Sequence, residues 1–297
     1  MVLTDKDTFT NRYIRKQINK YKRKKAQIVS SDKPIKGTEF RRKIHPLVRK
    51  VLQLKSLICG LTYEIISDKS NRQKGETVLY AVTHIGKCDY EMVTEACDIF
   101  AYAFAGDWET MYATVEDYFF RVNGVIYVDT GDKEDRKNSS LIMQKMLKQG
   151  VPVIIFPEGV WNLTENLPIL KIFPGVVQAS KACNIPVVPI AVEQAGKHFL
   201  INVGSKMTFD EMEETTAVQQ LRDTLATLRW EIWEKLSPEK RQDIPADYHE
   251  KFVDDRLAEY VGFNREVIAN RIYKDKTDRE ILAIKRDLER VKNGKII

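Results

Sequence analysis

Between residues 77 and 203 the chain alternates two hydrophobic patterns. Short, near-continuous apolar runs at 77–83, 99–105, 124–129, 151–156, 186–192 and 199–203 have the β-branched and aromatic content of buried strands. Segments at 87–97, 109–121, 133–149 and 173–183 instead space their apolar residues three and four apart, as Met92, Val93, Ala96 and Ile99 do, and predict helices. This alternation predicts an α/β fold, a mixed and largely parallel sheet flanked by helices. The "NIPVVPIAV" run at 184–192 carries two prolines, which cannot donate to a central ladder, so that strand is expected at a sheet edge or beside a cavity.

Outside this region the pattern is helical. Residues 9–30 have helical spacing with little apolar surface, and "SSDKPIKG" (30–37) interrupts it with turn residues. Residues 45–65 predict an amphipathic helix with Leu47, Val51, Leu54, Leu57 and Ile58 on one face, followed by a polar loop at 67–76. A long helix is expected over 209–236, and 238–297 is charged and helical without a strand signal. Three regions follow: a basic helical N-terminal region over 1–70, an α/β domain over 71–240 and a charged helical C-terminal extension over 241–297.

Composition sharpens this picture in two places. No apolar run approaches the ~18 residues of a membrane-spanning helix. The net charge of +6 divides unevenly: residues 1–50 hold 16 Lys and Arg against 4 Asp and Glu, so the rest of the chain is net negative. A basic arm of this kind suits an anionic membrane surface, each cation contributing about 1 kcal/mol there, or else it is a solvated helix face. Nucleic acid is the weaker partner, because Phe9, Tyr13, Tyr21 and Phe40 form no base-stacking group. The polar N-terminus and four cysteines without CxxC spacing lead us to expect a reduced, cytoplasmic protein that meets membranes peripherally.

Four stretches carry candidate chemistry. His84 ends the first strand, with Asp89 five positions on at the start of a helix, where α/β sheets bind their ligands. A carboxylate there can hold the imidazole tautomer while the other ring nitrogen takes a proton. No histidine or cysteine lies at ligand spacing for a metal. "NGVIYVDTGD" closes a strand on Asp129. "GVPVIIFPEGVWN" runs a strand into Pro157-Glu158-Gly159, which predicts an exposed carboxylate at the same sheet edge as His84. The proline-containing strand is the fourth.

In order and spacing these four blocks resemble the PlsC-like glycerolipid acyltransferases, the lysophosphatidic acid and glycerol-3-phosphate acyltransferase type, over residues 75 to about 205. The resemblance implies that His84 is the general base and that Asp89 orients it. It implies an acyl-CoA or acyl carrier protein thioester as donor, a lyso-glycerolipid hydroxyl such as that of 1-acyl-glycerol-3-phosphate as acceptor, and a place in phospholipid biosynthesis. No cofactor, metal or covalent acyl-enzyme is implied, so Cys88 need not act as a nucleophile. Acceptor contacts would come from Glu158, Gly159, Asp129, Thr130, Trp161 and Lys171, and oxyanion donors from the N–H groups of Gly86, Lys87 and Cys88.

The chain departs from the family pattern where that pattern contacts phosphate. Thr130 follows Asp129 where the family has arginine, and "FPEGVWN" replaces Phe-Pro-Glu-Gly-Thr-Arg-Ser, so Trp161 stands at a second arginine position. Thr83 replaces an asparagine and Gly86 a serine. Either Lys87, Lys133, Arg136 or Lys171 takes over the phosphate, or the acceptor is phosphate-free, an aminolipid or an amino-acid amine or hydroxyl. A non-catalytic lipid-binding protein on the same fold is the alternative of another class.

Overall fold

The computed structural model describes residues 9–73, 75–86, 88–106, 124–164, 166–236 and 245–257. Its elements, in chain order, are α1 (Phe9–Ser30), α2 (Thr38–Cys59), β1 (Thr62–Asp68), β2 (Leu79–Val82), α3 (Asp89–Ala96), β3 (Tyr102–Ala105), β4 (Val125–Tyr127), α4 (Lys133–Lys148), β5 (Val153–Ile155), α5 (Gly175–Cys183), β6 (Val187–Ala195), β7 (His198–Val203), α6 (Glu214–Lys235) and α7 (Tyr248–Leu257). The helix expected at 109–121 and most of the C-terminal extension lie outside the described residues.

One sheet organises the fold, in the order β1-β7-β6-β2-β5-β3-β4. β6, β2, β5, β3 and β4 run parallel, while β7 returns antiparallel to β6 through the Gly196-Lys197 turn and β1 pairs parallel to β7. The expected mixed, largely parallel sheet is what forms. Its middle strands are apolar throughout because both faces are covered. Tyr80 and Val82 of β2 pack on the side of α3 with Phe199 and Ile201, whereas Leu79 and Ala81 face Met143, Val177 and Leu221 of α4, α5 and α6.

Three expectations change. The helix predicted over 45–65 starts earlier and stops at Cys59. Gly60 takes the left-handed conformation at φ 68°, its N–H reaching Leu57 O and that of Leu61 reaching Ser56 O, a Schellman end that a side chain with a Cβ would strain. The chain after it extends to form β1. The amphipathic face of α2 is the second correction. Its polar side turns inward, with Lys55 on Glu91 at 2.7 Å, Ser56 on Glu95 at 2.7 Å and Arg49 on Asp98 at 3.2 Å, while Leu57 and Ile58 are each 76% exposed. The third concerns the prolines: β6 is an interior strand, not an edge. Pro189 is tolerated because alternation turns its nitrogen toward Gly204–Lys206, the stretch where the chain leaves β7 before Met207 re-pairs with Val187.

The basic arm is partly docked. Lys25 is buried against Asp135 at 2.5 Å and the Tyr127 carbonyl at 2.7 Å, and Lys22 bridges Asp129 and Asp132. Burial pulls the Lys25 ammonium below the ordinary lysine range, although Asp135 opposes this. α1 therefore belongs to the fold along its C-terminal half.

Candidate active site

β2 ends at Val82, and Thr83 extends the sheet by other means: its N–H donates to Ile190 O at 3.0 Å and its hydroxyl accepts from Val192 N at 2.9 Å. The residue in the asparagine position is thus a splice between β2 and β6. His84 follows at the carboxyl end of the parallel strands. Its Nδ1 lies 2.7 Å from Asp89 Oδ2, and the Asp89 side chain is 1% exposed. The same oxygen accepts from Ile85 N at 3.0 Å and Gly86 N at 3.2 Å, and Oδ1 accepts from Tyr90 N at 2.7 Å. So many donors fix the carboxylate at the start of α3, where the helix dipole also favours a negative charge. A carboxylate on Nδ1 selects the tautomer protonated there and leaves Nε2 as the acceptor. Nε2 has no hydrogen-bond partner among the described residues, and the histidine side chain is 21% exposed.

The neighbouring strand β5 delivers the "FPEG" turn beside it. Phe156 stacks on the imidazole with centroids 4.2 Å apart, and Trp161 meets it edge-on at 6.1 Å. Asn162 N–H donates to His84 O at 2.6 Å, and the Asn162 side chain, buried, holds Thr164 and the Leu167 carbonyl. Gly159 adopts φ 67°, and a Cβ there would come within 2.9 Å of the Phe173 ring, so only glycine fits the turn.

Glu158 does not behave as expected. It is 0% exposed rather than presented to solvent. Oε1 accepts from His84 N at 2.9 Å and Oε2 from Leu170 N at 2.8 Å, so it joins the base-bearing turn to the loop above it. Burial raises its pKa above the ordinary carboxylate value, opposed first by the Arg229 charge and then by these two N–H groups. Its role is internal support rather than acceptor contact.

The remaining candidates divide by place. Trp161, Gly159 and the exposed Lys171 lie on the loop that surrounds His84. Asp129 and Thr130 lie at the end of β4, three strands from β2, which is roughly 14 Å at ordinary strand spacing. Asp129 pairs with Lys22, and Arg136 donates to Thr130 O, so these residues and Lys133 anchor α1 and α4 away from the imidazole. Of the expected oxyanion donors, Gly86 N–H is committed to Asp89, Lys87 lies outside the described residues, and Cys88 is the residue preceding α3. Phe156, Asn162, Arg229 and Glu193 escaped the sequence reading. Among the described residues no cluster of His, Cys, Asp or Glu could hold a metal ion.

This geometry is a base-competent imidazole at a sheet edge, walled by aromatic rings. A family model described as "Acyltransferase" matches residues 65–193. The fold is similar to the crystal structure of the 1-acyl-sn-glycerophosphate (LPA) acyltransferase, PlsC, from Thermotoga maritima, with a TM-score of 0.54 and 11% identity over 69% of this chain and 86% of that one. No curated protein sequence matches the chain. The matched segment holds His84, Asp89, Asp129, Glu158 and most of the proline-containing strand, and it makes this chain a member of the PlsC-like acyltransferase family.

Proposed function

We propose that the protein transfers a fatty acyl chain from an acyl thioester, of CoA or of acyl carrier protein, to a hydroxyl of a lyso-lipid at a membrane surface. The observation that carries this reading is the His84–Asp89 pair at 2.7 Å with Nε2 unpartnered beside an aromatic wall. In the reaction Nε2 takes the acceptor hydroxyl proton while the oxygen attacks the thioester carbonyl carbon. The tetrahedral adduct collapses as the C–S bond breaks, and the imidazolium returns its proton to the departing thiolate. Asp89 stabilises the imidazolium between the two transfers, and no covalent enzyme intermediate forms. The test incubates the protein with acyl-CoA and, separately, acyl carrier protein thioesters and a panel of lyso-lipids and aminolipids, with mass spectrometry of the products. An acylated acceptor and free thiol in equal amounts are expected; thioester hydrolysis alone, or no turnover with any pair, would overturn the reading.

α2 supports the membrane part. An amphipathic helix ordinarily turns its apolar stripe to the core. Here Phe40, Leu47, Val51, Leu54, Leu57 and Ile58 point outward, with Lys43 and Lys50 also exposed on the same helix. A stripe of this kind with basic neighbours suits the headgroup boundary of an anionic bilayer. Among the described residues no helix is long and apolar enough to cross a membrane. Leu54, Leu57 and Ile58 replaced together by serine should cut co-sedimentation with phosphatidylglycerol vesicles by about ten-fold or more, at ~0.8 kcal/mol per CH₂ group withdrawn from the bilayer. Melting temperature should stay near wild type, because these side chains pack on nothing. Unchanged vesicle binding would leave the basic residues as the whole of the attraction.

A further inference from the structure

Arg229 is among the largest side chains sealed in the core, 1% exposed, and it is charged. From α6 its Nε and Nη2 both donate to Glu193 Oε2 on β6, at 3.0 and 2.7 Å, and Trp233 Nε1 donates to the same oxygen at 2.9 Å. A single buried ion pair of this kind would account for the arginine if the contacts ended there. They do not. Nη1 donates to the Pro168 carbonyl at 3.2 Å, in the loop above the imidazole. Two residues on, Leu170 N–H donates to Glu158, and Arg222, also of α6, donates to Leu170 O at 3.3 Å. Glu158 in turn accepts from His84 N–H. A continuous chain of hydrogen bonds therefore runs from α6 through 168–170 and Glu158 to the turn that bears His84.

We propose that Arg229 is a positioning residue for acyl transfer: it fixes the 168–170 segment and supplies the counter-charge for the fully buried Glu158, so that the His84 turn keeps its working place. This rests on the acyl-transfer reading above. Arg229 does not touch the reacting atoms; it acts through Glu158.

The electrostatics agree with the geometry. The charged or titratable groups around Glu158 are Arg229 from α6 and His84 from the turn after β2, with Glu193 of β6 on the far side of Arg229 and Lys171 exposed beside Leu170. Burial pushes the Glu158 carboxyl up and Arg229 is the strongest influence holding it down. Without the guanidinium the carboxyl rises further. Glu158 then takes up a proton as pH falls through that higher value, and a protonated oxygen faces one of its two N–H donors instead of accepting from it.

Arg229→Met alone leaves Glu193 buried without its cation, and removing one partner of a buried pair commonly unfolds a protein. The informative variant is Arg229→Met with Glu193→Gln, which removes both charges and keeps the volumes. Two measurements are made on it and on the wild type. The first is a titration of the Glu158 side-chain carboxyl by ¹³C NMR, without substrate, with the resonance assigned from Glu158→Gln. The second is the pH dependence of kcat and KM for acyl transfer. In the double variant the carboxyl should titrate about one pH unit or more higher, with kcat at neutral pH lowered about ten-fold, one unit corresponding to that factor. The acid limb of kcat should move the same way, with KM for the thioester little changed. A wild-type titration and wild-type kcat would show that Arg229 serves Glu193 alone. A shifted titration with unaltered kcat would overturn the positioning role. Absence of acyl transfer in the wild type itself would instead overturn the function, and the NMR titration would still decide the electrostatic claim.

Discussion

His84→Ala is expected to lower kcat for acyl transfer by about 10²–10⁴-fold, the usual contribution of a general base, while the unfolding temperature stays close to that of the wild type. The fold does not lean on the imidazole. The backbone of residue 84 keeps its bonds to Glu158 and Asn162 whatever the side chain, and Asp89 retains the N–H groups of Ile85, Gly86 and Tyr90. The loss should therefore be chemical rather than structural. Asp89→Asn should cost less, because the amide oxygen can still face His84 while the negative charge that stabilises the imidazolium is gone. The assay is thiol release from the acyl thioester in the presence of acceptor, paired with circular dichroism melts. Full turnover by His84→Ala would remove the base from the mechanism.

The second large effect concerns what the acceptor carries. Trp161 stands edge-on to His84 where the family pattern has an arginine. A phosphate dianion entering a partly desolvated pocket needs a paired cation, and without one it loses several kcal/mol relative to water. We expect Trp161→Arg to raise kcat/KM for a lyso-phospholipid acceptor relative to its phosphate-free counterpart by about 10–100-fold, the worth of one charge-assisted hydrogen bond. Thr130→Arg should change the ratio little, because position 130 sits three strands away and its carbonyl is held by Arg136. If the wild type already prefers the phosphate strongly, Lys171 becomes the cation to remove, since it is the exposed one on the same loop. An unaltered ratio in Trp161→Arg would place the acceptor's headgroup elsewhere.

The parallel strands were legible because burial on both faces leaves near-continuous apolar runs that few other elements produce. His84 and Asp89 were legible as a pair because the strand-to-helix handover brings them together locally. Glu158 was found but misread. Its burial depends on His84 and Leu170, and nothing near it in sequence distinguishes a covered carboxylate from an exposed one. Arg229 and Glu193 were invisible for a similar reason: a long-range ion pair between a helix and an interior strand has no period. The outward face of α2 shows the limit of amphipathic patterning, which gives the width of an apolar stripe and not its direction. Gly60 was the one local signal passed over, a helix stop inside what reads as a continuing pattern.

That outward stripe changes what concentration means for the enzyme. With α2 seated in the headgroup layer, the lyso-lipid arrives by lateral diffusion while the thioester arrives from water. The rate should then follow the acceptor's mole fraction in the surface rather than its bulk molarity. Adding inert lipid at constant total acceptor would slow turnover by surface dilution, and the doubly acylated product would leave sideways into the same bilayer that supplied its precursor.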